Sequence, residues 1–153
     1  MSSITFLAKD ISPGLPHLTV NSVSNPRQVT RACVKARVVC GVYPLQKHRH
    51  KLKKTSSPEC ILCSHHTEDV EHFIEVCPSL HSSRGKYLNR LMDILPQPLL
   101  ISVTQAVLDT WVLASLHPQL KEERLLEIET ITRDMIYALH ISRTRLIDNS
   151  SYK

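Results

Sequence analysis

Within eighteen consecutive residues, three cysteines and a histidine are spaced Cys60-x2-Cys63-x8-His72-x4-Cys77. No other feature of the chain restricts its fold as tightly. Zinc takes thiolate and imidazole donors at the corners of a tetrahedron. A Cys-x2-Cys turn aims two sulfurs at one point. A helix running from about Glu68 to Val76, with Thr67 as its cap, offers His72 and, just over one turn later, Cys77. Pro78 then releases the chain, so Cys77 can turn toward the ion. Four protein ligands leave no open position, which makes such a zinc ion structural and not catalytic. It would also supply folding energy to a segment with few apolar residues of its own. His65 and His66 are rival imidazoles, and His81 is a weaker one. Two other readings of the thiols stand beside this one. They could form a redox dithiol, although the βαβ setting for one is missing, or they could be small core residues.

Around this cluster the pattern is helical. Asn25-Pro26 has the form of a cap and first turn. Val29, Ala32, Cys33, Ala36, Val39 and Cys40 follow at helical spacing, and Gly41 suits a left-handed stop. Cys33 and Cys40 therefore read as core fillers. Beyond Pro78, Ser79 can cap a helix whose stripe is Leu80, Tyr87, Leu88, Leu91 and Leu95. Ser102 with Gln105 resembles a capping box, opening a helix that ends near His117. A last, long helix spans about Pro118 to Leu146, with Leu125, Ile128, Ile131, Thr132, Met135 and Leu139 as its core face. Glu122, Glu123, Glu127 and Glu129 read as its solvated face. Only three glycines occur, which argues against a sandwich or barrel of many tight turns.

The expected fold is thus mainly α: a small helical domain with a Cys-Cys-His-Cys zinc-binding segment, followed by a long antiparallel helix pair. The expected organisation is a flexible lead-in over 1–24, the basic helix with the zinc segment over 25–95, the helical pair over 96–148 and a frayed tail over 149–153. No apolar stretch is long enough for a membrane span. No secretory signal pattern opens the chain. Five cysteines, an odd number, then fit a reducing, intracellular setting in nucleus or cytoplasm.

Charge is unevenly spread. The net charge is +5, yet no acidic residue occurs between Asp10 and Glu59. That interval carries Arg27, Arg31, Lys35, Arg37, Lys47, Arg49, Lys51, Lys53 and Lys54. Such a run suits contacts to the phosphate backbone of RNA or DNA. The alternative readings of the same residues are a solvated charged face or a localisation signal. Tyr43 offers a stacking surface for a base. No Gly-rich phosphate loop, nucleophile elbow or pair of acids suited to two-metal chemistry is visible, so no catalytic residue is expected.

The stretches Ala36 to Gln46, Cys60 to Cys63 and Glu68 to Pro78 resemble the C-terminal tail of non-LTR retrotransposon reverse transcriptases. The segment Ile131 to Leu146 is similar to the closing helix of such reading frames. The resemblance covers most of residues 25–146, and its most specific part is the cysteine–histidine motif. It implies that Cys60, Cys63, His72 and Cys77 hold zinc, in a region that helps grip template RNA or target DNA for an attached polymerase. The polymerase aspartate motif and an endonuclease domain do not occur in this chain. A non-enzymatic, zinc-stabilised nucleic-acid-binding module is therefore expected. The alternatives are a scaffold that presents an apolar stripe of the C-terminal helices to a protein partner, or a remnant without activity of its own.

Overall fold

Asn25 opens the first described helix through its side chain, which accepts the Gln28 N–H at 3.0 Å, and Pro26 follows at the first helical position. The computed structural model describes residues 25–150. The expectations for 1–24 and for the last three residues lie outside them. In chain order the elements are α1 (Pro26–Val39), α2 (Gln46–Lys51), a π-helical turn (His72–Val76) and a 3-10 turn (Pro78–Leu80). Then come α3 (His81–Ile94), α4 (Val103–Leu108), α5 (Thr110–Leu116) and α6 (Glu122–Ser150). No strand occurs among the described residues; one isolated antiparallel bridge pairs Glu59 with Thr67. No described helix is long and apolar enough to cross a membrane.

The core is aliphatic and continuous. Leu80, Leu91, Val107, Leu113, Ile128, Met135, Ile136 and Leu139 are fully enclosed within one cluster that also reaches Val34, Tyr43 and Phe73. It draws residues from both expected segments, 25–95 and 96–148. α6 packs most extensively against α3, then against α1. The expected helix from Ser102 to His117 is broken. Ser102 does cap α4, accepting the Gln105 N–H at 3.0 Å. Asp109 then leaves helical geometry and caps α5 through the Trp111 and Val112 N–H groups. An Asp that can bond the backbone ahead of it competes with helix continuation. α6 is therefore flanked by two short helices there, and its long neighbours are α1 and α3. It also starts later than expected, at Glu122, and continues through Asn149 and Ser150, which were expected to fray.

The first helix has the expected ends but a rotated face. Ala32, Val34, Lys35, Val38 and Val39 turn inward, while Val29 and Cys33 are exposed and Cys40 is half-buried. Cys33 and Cys40 are thus not core fillers. The inward residue that sets this rotation is a cation. Lys35 is wholly buried, its Nζ 2.6 Å from Glu129 Oε2 and 2.8 Å from Thr132 Oγ1. Burial pulls the Lys35 ammonium down from its ordinary value, and Glu129 opposes that shift. Glu129 is therefore not on the solvated face of the last helix. Its carboxylate also meets Arg133 at 3.4 Å and accepts the Thr110 hydroxyl at 2.8 Å.

Removing one partner of a buried ion pair strands the other charge. Lys35→Met should accordingly lower stability by about 2 kcal/mol or more, read as a shift in urea midpoint. Lys51→Met, on an exposed position, should leave that midpoint unchanged.

Candidate metal centre

Two short structures deliver the four donors. The first is a tight turn. Ser64 N–H donates to the Cys60 carbonyl at 2.8 Å, and Cys60 N–H donates to the His66 carbonyl at 2.8 Å. Ser64 takes the left-handed conformation that closes it, with φ +57. Thr67 sits in the bridge with Glu59 and does not cap a helix; Asp69 does that work, its Oδ1 accepting the His72 N–H at 2.8 Å. Ser79 likewise does not cap α3. Its hydroxyl reaches across to the Leu62 carbonyl at 3.3 Å and ties the turn to the second half of the site.

The second structure is the π-helical turn. Positions five apart on an α-helix point about 140° away from each other. The wider turn, closed by Cys77 N–H to the His72 carbonyl at 2.8 Å, brings His72 and Cys77 to one side. π-turns of this kind are rare and recur at functional sites. Two carbonyls there are taken up by the buried Arg84 of α3, which donates to Cys77 O at 2.7 Å and to Phe73 O at 3.2 Å.

The result is a cluster in which the donor atoms of Cys60, Cys63, His72 and Cys77 all lie within 4.8 Å of one another. Cys60 Sγ is 3.9 Å from Cys77 Sγ, and Cys63 Sγ is 3.4 Å from His72 Nε2. Tetrahedral coordination with bonds of about 2.3 Å to sulfur and about 2.0 Å to nitrogen separates sulfurs by about 3.8 Å, and sulfur from nitrogen by about 3.5 Å. These two separations fit donors to a single ion. Cys60, His72 and Cys77 are buried, and Cys63 is half-buried. Burial pushes the Cys60 thiol up to about 12, against the backbone N–H groups of Cys63 and Leu62 that favour the thiolate. Burial likewise pulls His72 below its ordinary value, which favours the neutral imidazole that a ligand requires. These four residues can hold a metal ion. His65, His66 and His81 are exposed and stand outside the cluster.

The basic residues separate into two groups. Arg27, Arg37, Lys47, Lys51, Lys53 and Lys54 are exposed and Arg49 is half-exposed. Lys35 is sealed in the core, and Arg31 is committed to Asp134 at 2.5 Å. Neither of these two presents a free cation to a phosphate, which corrects the expectation for Lys35 and weakens it for Arg31. Tyr43 offers no face to a base. It is buried, stacked on Phe73 with ring centroids 5.2 Å apart, and its hydroxyl is 2.7 Å from His140 Nδ1. The apolar stripe of α6 is also spent within the chain, because Ile128, Ile131, Met135 and Leu139 are core.

Three buried charges had no local signal in the sequence: Glu68, Arg84 and Arg143. Glu68 and Arg143 find each other 75 residues apart, and Arg84 bonds two carbonyls of the π-turn 7 and 11 residues before it. An open groove of about 380 Å³ lies beside Glu68, with Lys47 and Lys51 among its lining residues and Val38, Leu45 and Val70 as its apolar part.

Compared with protein-family models, with curated proteins and with solved structures, the chain matches none.

The cluster predicts about one divalent ion per chain by elemental analysis. Cys63→Ser should reduce that content and loosen the 60–77 segment, whereas Cys33→Ser, on the exposed side of α1, should leave it unchanged. Full metal in both variants would show that the donors have been misassigned.

Proposed function

We propose that the chain is a zinc-stabilised helical module, without catalysis of its own, that binds nucleic acid through phosphate contacts. The observation that carries this reading is the convergence of three sulfurs and one imidazole within 4.8 Å, with two of the separations at tetrahedral values. Three thiolates with one imidazole suit zinc better than magnesium or calcium, which prefer oxygen. Four protein donors leave no position for a reacting water. The metal would therefore hold structure, and function would lie on the surface it orders.

That surface comprises the cations of α2 and the turn after it: Lys47 and Lys51 on one side of the helix, half-exposed Arg49 about 160° around it, then Lys53 and Lys54. Lys53 has φ +57, and its N–H bonds the His50 carbonyl while Lys54 N–H bonds the Arg49 carbonyl, each at 2.9 Å. This is the hydrogen-bond pattern of a helix end that ordinarily takes glycine. A lysine in left-handed geometry costs about 1 kcal/mol, and here it adds one more cation to that surface. The resemblance of the Cys-Cys-His-Cys region to the tail of non-LTR retrotransposon reverse transcriptases supports the same reading, with RNA or DNA held for a polymerase.

If about five cations each neutralise one phosphate, log affinity for single strands should fall with log salt at a slope near −3.5. Fluorescence anisotropy with a labelled single-stranded RNA across a salt series measures it. Replacing Lys47 and Lys51 together by Gln should flatten the slope by about 1.4. Affinity that is absent, or indifferent to salt, would remove the proposal.

A further inference from the structure

We infer that Glu68 is a positioning residue that makes the order of the basic helix α2 depend on the metal centre; the inference rests on the zinc reading above. α2 is six residues long, Gln46–Lys51, with cations at Lys47, Arg49 and Lys51 and no acid in its first turn. A helix this short does not form by itself in water, because nucleation is costly. Its N-cap residue, Leu45, provides no side-chain bond. Its first N–H groups must be satisfied from elsewhere.

Glu68 satisfies two of them. Its side-chain Oε2 accepts the Gln46 N–H at 2.9 Å, and its backbone carbonyl accepts the Lys47 N–H at 3.2 Å. The carboxylate also places a negative charge at the positive end of the helix dipole and next to a run of like charges. It is almost wholly buried, and Arg143 of α6 holds it through Nε to Oε1 at 2.6 Å and Nη2 to Oε2 at 3.1 Å. The same guanidinium donates to the Pro44 carbonyl at 3.3 Å, just ahead of α2.

What aims Glu68 at α2 is the loop between Cys63 and His72. That loop is irregular up to Asp69, with helix only at Val70 and Glu71, and its one bridge, Glu59 with Thr67, stands immediately before Glu68. The Glu68 N–H then bonds the Pro58 carbonyl at 2.9 Å. His65 and His66 in the loop are exposed and contribute no core. Its two ends are fixed where Cys63 and His72 meet at one point. With the ion removed, three thiols and an imidazole no longer share a centre, and Glu68 is left with only Arg143 and the Pro58 carbonyl to set it. α2 is then left with uncapped N–H groups and its own repulsion. The phosphate-binding surface would dissolve although no metal ligand touches nucleic acid.

The test uses the full chain loaded with zinc, and compares it with Glu68→Gln and with the pair Glu68→Met plus Arg143→Leu. The pair replaces a buried ion pair by apolar groups, a change that folded proteins commonly tolerate. Elemental analysis, residue-resolved amide exchange and binding of a labelled single-stranded RNA are read on each. Both variants should retain about one zinc. Amide protection within residues 47–51 should fall roughly tenfold and RNA affinity should fall with it, by severalfold. Protection in α1 and α6 should stay as in the unaltered chain. Chelating zinc from the unaltered chain should produce the same local loss in α2. Zinc uptake with α2 equally protected in the pair variant, or protected after chelation, overturns the coupling alone. Loss of zinc from both variants also overturns it, because Glu68 would then be holding the site and not transmitting from it. An unaltered chain that takes up no zinc overturns the metal reading, and the coupling with it.

Discussion

The donor atoms of Cys60, Cys63, His72 and Cys77 lie within 4.8 Å of one another, and a metal ion held among them would tie the middle of the chain together. The segment has little else to fold with. Ile61 and Val76 are exposed, and only Phe73 and Ile74 of the π-turn enter the core fully. A thiol buried as deeply as Cys60 resists ionisation. A cation at the centre reverses that preference, since it binds the thiolate and not the thiol. The unusual backbone follows from the same demand. A π-turn, an Arg84 guanidinium spent on two carbonyls and a non-glycine residue in left-handed geometry at Ser64 are all local costs. Each is accounted for if the donors must meet.

α6 links this centre to the rest. Near its start, Glu129 takes Lys35 of α1 and Arg133 of its own helix; near its end, Arg143 takes Glu68. Buried ion pairs are poor sources of net stability, because desolvation offsets the attraction. They are strict about geometry, however. An α1 rotated to the face expected from its apolar residues would bury Cys33 and expose Lys35, and Glu129 would lose that partner. The pairing thus selects one rotation of α1 from two that apolar burial alone would barely distinguish.

The same point explains what could and could not be read from the sequence. Caps and stops were legible because their chemistry is local: Asn25, Gly41 and Ser102 each act within four residues. The metal-ligand spacing was legible for the same reason, and so was the buried stripe Leu80, Leu91 and Leu95. The basic run looked uniform because its interval holds no acid. Yet Lys35 finds its acid 94 residues away, and Arg31 finds one 103 residues away. Glu129 was placed on a solvated face by the same local logic. Asp109 reads equally as a surface residue or as a cap, and only the packing of α4 and α5 decides. Nothing short-range marks Glu68, whose partners lie 22 and 75 residues along the chain.

Removing Lys35 and Arg31 from the basic face changes what that face can grip. The remaining density is concentrated in α2 and the turn to Lys54. At about 1.5 Å per residue, six helical residues span about 9 Å, a length that under the proposed binding would meet only a few phosphates of one strand. More contacts than that must come from Lys53 and Lys54 past the helix end, or from Arg37. Arg37 stands near α2 in space: its guanidinium lies 5.7 Å from the ring of Tyr43, two residues before Leu45. The proposed footprint is accordingly short, and it sits on a helix too short to form by itself. A binding surface of this kind gains more from being held in place than from added charge, because each cation that is already fixed loses less freedom on contact.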